Sequence, residues 1–244
     1  MPTRTLSMRS SQRFEEPEVT VVKRMHLSFL LAVLLVAYPA VSLAAKDTFY
    51  LKADVGYSIP FITNLSDELE RQGRDGLEPG YGLSVSLGKT FSGMQWAVEG
   101  NLSIAFYPEF NYLNDHEDFT GDISHYGYSA ILFKRILPER TSFSPSLGVG
   151  VGYGLTNLIE GGGRIKAFEG LGIFRIESSF GTKTNAYLEV AYALGLEKKR
   201  FEKPFLENIP GDIVKDSGGN PLEDRYSSLD IRLGVLIWLK PPRE

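Results

Sequence analysis

FSPSLGVGVGYGL, residues Phe143 to Leu155, decides how the rest of the chain is read. Phe143, Pro145, Leu147, Val149, Val151, Tyr153 and Leu155 occupy every second position, and Ser144, Ser146, Gly148, Gly150, Gly152 and Gly154 fill the places between. Successive side chains of a strand point to opposite faces, so this stretch is a strand with one apolar face and one nearly bare face. Glycine in a strand interior costs chain entropy and packs nothing. A run of glycines on a single face therefore marks a face that looks into a confined space.

The same two-residue period returns along the chain. Phe49, Leu51, Ala53, Val55, Tyr57 and Ile59 oppose Tyr50, Lys52, Asp54, Gly56 and Ser58, and Tyr81, Leu83, Val85 and Leu87 oppose Gly82, Ser84, Ser86 and Gly88. Trp96, Val98, Leu102, Ile104 and Phe106 oppose Ala97, Glu99, Asn101, Ser103 and Ala105. Two segments are less regular: 123–135 puts Ile131 and Phe133 among its polar positions, and 166–177 puts Leu171 and Ile173 there beside Glu169, Arg175 and Glu177. Alternation is clean again over 185–196 and 227–239, which gives eight strands of about ten residues, the length that crosses a bilayer when tilted. Connections at 60–80, 107–122 and 197–226 are long, those at 90–94, 136–142 and 178–184 are short, and 156–165 is intermediate. Long and short alternate, as in an up-and-down membrane barrel whose longer loops face outward.

Period alone does not say which face is wet. A soluble ligand-carrying barrel would turn its apolar face inward and its polar face to water. Here the polar face is mostly Gly, Ser and Ala, with charges of both signs, and the clearer apolar faces carry no Lys or Arg in their centres. Small residues and balanced charges suit the inside of a narrow closed cylinder, and oily rows suit lipid. The fold expected is an all-β, eight-stranded antiparallel up-and-down transmembrane barrel. Its interior polar network is expected to consist of Lys52, Asp54, Glu99, Arg175, Glu189, Asp230 and Arg232, the cations pairing with the carboxylates because an isolated buried ion is too costly. Such a network either fixes strand register as a plug or gates a narrow pore.

At the N-terminus, Lys23 and Arg24 precede the apolar run Leu27 to Ala37, Pro39 and the small-residue segment Val41 to Ala45. This reads as a secretory signal peptide with an extended leading region, cut after Ala44, so that residues 1–44 are the leader and 45–244 a single barrel domain. The chain has no cysteine, which excludes disulfides and thiolate metal sites. Its net charge of −4 gives no support to nucleic-acid binding.

By its alternating strands, loop lengths and last strand, the segment Phe49 to Leu239 resembles the small eight-stranded outer-membrane barrels of Gram-negative bacteria, the OmpA-like and opacity-type surface proteins. Gly234, Ile237 and Leu239 match the spacing by which the barrel-assembly machinery recognises its clients in that family, although Lys240 to Glu244 follow and Trp238 stands one position early. The resemblance implies the outer membrane as location. It implies outer-membrane lipids, lipopolysaccharide and the assembly machinery as partners, with an unknown extracellular partner for the loops.

No cofactor or metal is expected. Asn114, Asp115, His116, Glu117 and Asp118 are metal-capable but read as a solvated loop, and the last loop, from Glu197 to Asp216, mixes both signs as cell-surface loops do. Some small barrels modify lipid A with a His-x-Ser pair; here Tyr126 and Gly127 follow His125, and Ser129 comes four residues on, on the inward face. The expectation is therefore a structural or surface-interaction protein without catalysis. A narrow solute channel and a lipid A-modifying enzyme are the alternatives.

Overall fold

The computed structural model describes residues 48–91, 95–114, 117–136, 143–159, 164–201, 216 and 218–239, with the side chains of 112–114, 117–121 and 158–159 left aside. The leader read over 1–44, the terminal 240–244, and Asp115, His116, Lys203, Asp212 and Lys215 of the loops lie outside the described residues. The strands are β1 (Phe49–Pro60), β2 (Gly80–Phe91), β3 (Trp96–Asn114), β4 (Glu117–Arg135), β5 (Phe143–Ile159), β6 (Arg164–Ser179), β7 (Thr184–Gly195), the short β8 (Lys199–Arg200) and β9 (Glu223–Asp224), and β10 (Ser227–Trp238). A helix, α1 (Thr63–Arg71), lies between β1 and β2.

The eight long strands close into a barrel in the order β1-β2-β3-β4-β5-β6-β7-β10. The seam is an antiparallel ladder from Tyr50 opposite Trp238 to Pro60 opposite Ser228. The alternation resolves into an outside and an inside. Val149 and Val151 are 65% and 66% exposed, whereas Glu99 and Glu189 are fully buried. Water would reverse that arrangement; hydrocarbon requires it, because closure also pairs the backbone without leaving an edge.

Strand β5 shows why one inner face is bare. A Cβ at Gly148 would lie 2.8 Å from Cδ1 of Phe133, and one at Gly150 would lie 2.6 Å from the Ala130 carbonyl oxygen and 3.0 Å from Ile131. At Gly154 it would meet the Glu169 carboxylate and His125. The glycines are the floor on which inward side chains of β4 and β6 rest. This accounts for the irregular apolar residues of those strands: Ile131, Phe133 and Ile173 form a small internal cluster with Ala191.

The two ends of the barrel differ. Four connections expected to be loops carry structure at one end. β3 and β4 run on past β2 as a hairpin, in register from Phe110 opposite Gly121 to Asn114 opposite Glu117, after a shift between Tyr107 and Phe110. That shift falls at Pro108, which lacks an N–H for the ladder, and it breaks the period by which the extension could have been read. β5 and β6 likewise extend to Asn157 opposite Arg164. Helix α1 buries Leu65 and Leu69, one turn apart, in an apolar cluster with Phe110, Ile123, Ile165, Phe201, Leu222 and Tyr226. The cluster includes Ala105 and Ala167 of the strands, so it roofs the mouth of the barrel. Asp224 of β9 accepts the Leu65 N–H at 2.8 Å, and the Asn64 amide donates to the Glu223 carbonyl, which ties the first turn of α1 to the last connection.

Because the Ala130 carbonyl cannot yield, Gly150→Ala is expected to lower unfolding stability by about 1–3 kcal/mol. Gly172, on the lipid face, has nothing within 4 Å of its notional Cβ. Gly172→Ala should be neutral or stabilising by up to ~1 kcal/mol. Urea titration of the two variants refolded into vesicles measures the difference.

Candidate functional site

Inside the barrel the ionic side chains form a layer. Arg175 on β6 donates from Nη1 and Nη2 to the two oxygens of Glu99 on β3, and from Nε to Glu189 Oε2 on β7 at 2.8 Å. Lys52 on β1 lies 3.0 Å from Glu189 and 3.2 Å from Glu99, with Asp54 at 3.8 Å. Two carboxylates are thus held by two cations, Arg175 from the strand next to that of Glu189 and Lys52 from β1. The two-pronged guanidinium fixes orientation as well as charge. Its flat face lies 3.9 Å from the centre of the Phe133 ring, on the apolar patch beside the glycine floor.

Tyrosines and serines complete the layer. Tyr50 donates to Glu99 at 2.7 Å, Tyr187 to Asp54 at 2.6 Å, and Ser84 to both oxygens of Asp54. Above it, Arg232 pairs with Asp230 and approaches Glu189 Oε1 at 3.6 Å, and Asp230 accepts from Ser58. Ser58 bonds Tyr107, whose hydroxyl bonds that of Tyr226. The Tyr226 ring stacks on His125 at 3.7 Å between centres, with Nδ1 of His125 2.9 Å from the Thr156 hydroxyl and Nε2 3.3 Å from Glu169.

The structure therefore brings Lys52, Asp54, Glu99, Arg175 and Glu189 into one layer and sets Asp230 and Arg232 on its outer side. Glu177, at the other end, is held by Arg135 at 3.2 Å. Tyr50, Tyr187, Ser84, Ser58 and Tyr107 belong to the same network and were absent from the sequence reading of it. Their signal was available for Tyr50 and Tyr187, which sit at polar-face positions, where a phenol needs a partner. Trp238 likewise turns inward, edge-on to Tyr50 at 5.1 Å.

The layer separates two small spaces. The outer one, of about 30 Å³, is lined by Ser58, Asn101, Ser129, Glu169, Asp230 and Arg232 among others, and the inner one, of about 20 Å³, by Tyr50, Thr90, Arg135 and Glu177. The outer space has room for two or three waters and the inner for one or two, at roughly 10–15 Å³ apiece. No group of metal-ligating side chains is found among the described residues. In the roof, burial raises the Asp224 carboxyl above its ordinary value against the pull of the Leu65 and Arg225 N–H groups, and the backbone N–H of Asn220 holds the exposed Asp216 below its ordinary value.

The outer wall carries two aromatic girdles. One comprises Tyr57 and Tyr81, edge to face at 6.1 Å, then Phe106, Tyr153 and Phe168 at 5.5 Å, and Tyr192. At the other end stand Phe49, Phe91, Trp96, Phe143 and Phe180. The steps along β2 from Tyr81 to Phe91, each ~3.4 Å and tilted by ~40°, rise roughly 26 Å, close to the ~25 Å apolar band of a membrane barrel.

No protein-family model matches the chain, and no characterised sequence matches it. Two solved structures are similar in fold. Neisserial surface protein A (NspA) is 11% identical with a TM-score of 0.50, over 78% of this chain and 96% of that one. The outer membrane protein OprG from Pseudomonas aeruginosa is 12% identical with a TM-score of 0.51, over 80% of this chain and 96% of that one. The fold is that of the eight-stranded outer-membrane barrels. In such a barrel the ion-pair layer lies within the membrane band, where removing one partner leaves an uncompensated buried charge.

Arg175→Met is expected to cost about 3–5 kcal/mol, because Glu99 and Glu189 lose one of their two shared cations and only Lys52 is left between them. Adding Glu99→Gln to that variant should recover part of the loss, and urea unfolding of both in vesicles measures the coupling.

Proposed function

We propose that the chain resides in the outer membrane as a sealed barrel of the OmpA-like or opacity-type kind, anchoring a structured outer surface that meets lipopolysaccharide and an extracellular partner. The observation that carries this reading is the closure of the lumen at two levels, by the ion-pair layer at mid-height and by the α1 cluster at the mouth. With the interior filled, the surfaces left to act are the wall and the outer end. The outer end is also where the structure is elaborated, in the β3–β4 hairpin, α1 and the β8–β9 pair.

Lipopolysaccharide is the natural neighbour of the girdle at that end. Lys166 stands exposed on the outward face of β6, two residues beyond Phe168, at the depth where sugar phosphates begin. Export and assembly fit the last strand: Ile237 and Leu239 face outward, and Gly234 passes beneath the Tyr187 ring. A non-catalytic role is supported by His125, which is enclosed in the lumen by Thr156, Glu169 and Tyr226 and turned away from the wall where acyl chains lie.

Because the chain has no cysteine, single cysteines report exposure cleanly. In intact cells a membrane-impermeant maleimide should label Asp75→Cys, in the connection after α1, and should label Thr182→Cys, in the β6–β7 turn, only after the outer membrane is permeabilised. Labelling of Thr182→Cys alone, or of neither in any cells, would contradict the reading.

A further inference from the structure

At the end of the barrel opposite the roof, the register sets Arg135 of β4, Ser146 of β5 and Arg175 of β6 side by side. All three stand at inward positions and line the inner space of about 20 Å³. Ser146 is 3% exposed, and among the described residues its hydroxyl oxygen has no hydrogen-bond partner. A buried hydroxyl gives up its hydration on folding, so one that faces a polar space is matched to whatever fills that space.

The neighbouring charges say what kind of group that is. Of the charged side chains that line the space among the described residues, Arg135 and Arg175 are cations and Glu177 is a carboxylate, an excess of one positive charge. Glu177 is already held, by Arg135 Nη2 at 3.2 Å and by the Asn185 amide at 3.2 Å. Arg175 is committed to Glu99 and Glu189 in the ion-pair layer. Arg135 has more to give: a guanidinium carries five N–H donors, and among the described residues Glu177 takes one of them. Two flanking cations also favour the Ser146 hydroxyl with its oxygen toward them and its proton toward the space. Donors therefore converge there.

We propose that the inner space is a binding site for one small inorganic anion of halide size, held by the Ser146 hydroxyl and the Arg135 guanidinium. A single positive charge in excess suits a monovalent ion. Room for one or two waters excludes sulfate and phosphate, with four oxygens each. Arg135, whose side chain is 13% exposed at the last position of β4, is where the ion enters from solvent. Once bound, the ion ties β4 to β5 beneath the ion-pair layer, and its binding adds to the stability of the closed barrel.

The experiment reads stability against the anion, with chloride as the probe. The protein is refolded into phosphatidylcholine vesicles and unfolded with urea in 0.5 M sodium chloride or in 0.5 M sodium gluconate, whose anion is too large for the space. The result expected is an unfolding equilibrium constant about tenfold lower in chloride, the ratio reached when the free anion stands at roughly ten times its dissociation constant. Ser146→Ala should bring the two salts together, whereas Ser129→Ala, in the outer space, should leave the difference in place. Trp238 borders the inner space, and Trp96→Phe leaves it as the one tryptophan, so in that variant bromide should quench with a saturating dependence that chloride competes away. Equal unfolding in the two salts, a difference that survives Ser146→Ala or is lost equally in Ser129→Ala, or quenching that rises linearly and ignores chloride would each overturn the anion site and leave water as the partner of the hydroxyl. None of these results bears on the membrane reading, which rests on the outer wall.

Discussion

The fold turns on one constraint: Arg175, Lys52, Glu99 and Glu189 have to meet in the middle of a cylinder whose outside is hydrocarbon. Each of the four comes from a different strand, β6, β1, β3 and β7, so the layer forms only when the barrel closes in a single register. A slip of one residue in any of these strands would send its ionic side chain into lipid and its oily neighbour into the lumen. Burial of ion pairs is seldom a net source of stability, but breaking one is costly. The layer is therefore best understood as a device that penalises every register except the native one. The glycine floor of β5 serves the same end by leaving room for Phe133, on which the guanidinium lies.

Closure of the lumen then assigns roles to the remaining surfaces. The wall has an apolar band bordered by aromatic rings, which fixes its depth in a bilayer. At one end, strands of unequal length form a cup that α1 and the last connection fill, held by the carboxylate of Asp224. At the other end the turns are short and the rim carries lysines over rings. An interaction protein needs such a division between a rigid anchor and a variable face. Neither similar structure, at 11% and 12% identity, says what that face meets.

Much of this was legible in the alternation. The bounds of β1, β7 and β10 were readable to within a residue, since nothing in those strands breaks the period, and so was the inward placing of Lys52, Glu99 and Glu189. Two features were obscured for physical reasons. Ile131, Phe133, Leu171 and Ile173 blurred β4 and β6 because a narrow interior needs some apolar filling over the glycines, which a simple inside-polar rule does not anticipate. Helix α1 was missed because it is short and lacks a capping side chain of its own: its cap, Asp224, lies far along the chain. The hairpin above the membrane escaped notice because Pro108 and the register shift interrupt the period where β3 leaves the bilayer.

Sealing of the lumen by the ion-pair layer and the roof is the claim on which the functional reading depends most. Single-channel recording of the refolded protein in planar bilayers addresses it directly. The account predicts a baseline without conductance steps under conditions where the protein is shown to be inserted. Discrete, reproducible steps from the native protein would contradict it and make the barrel a conduit.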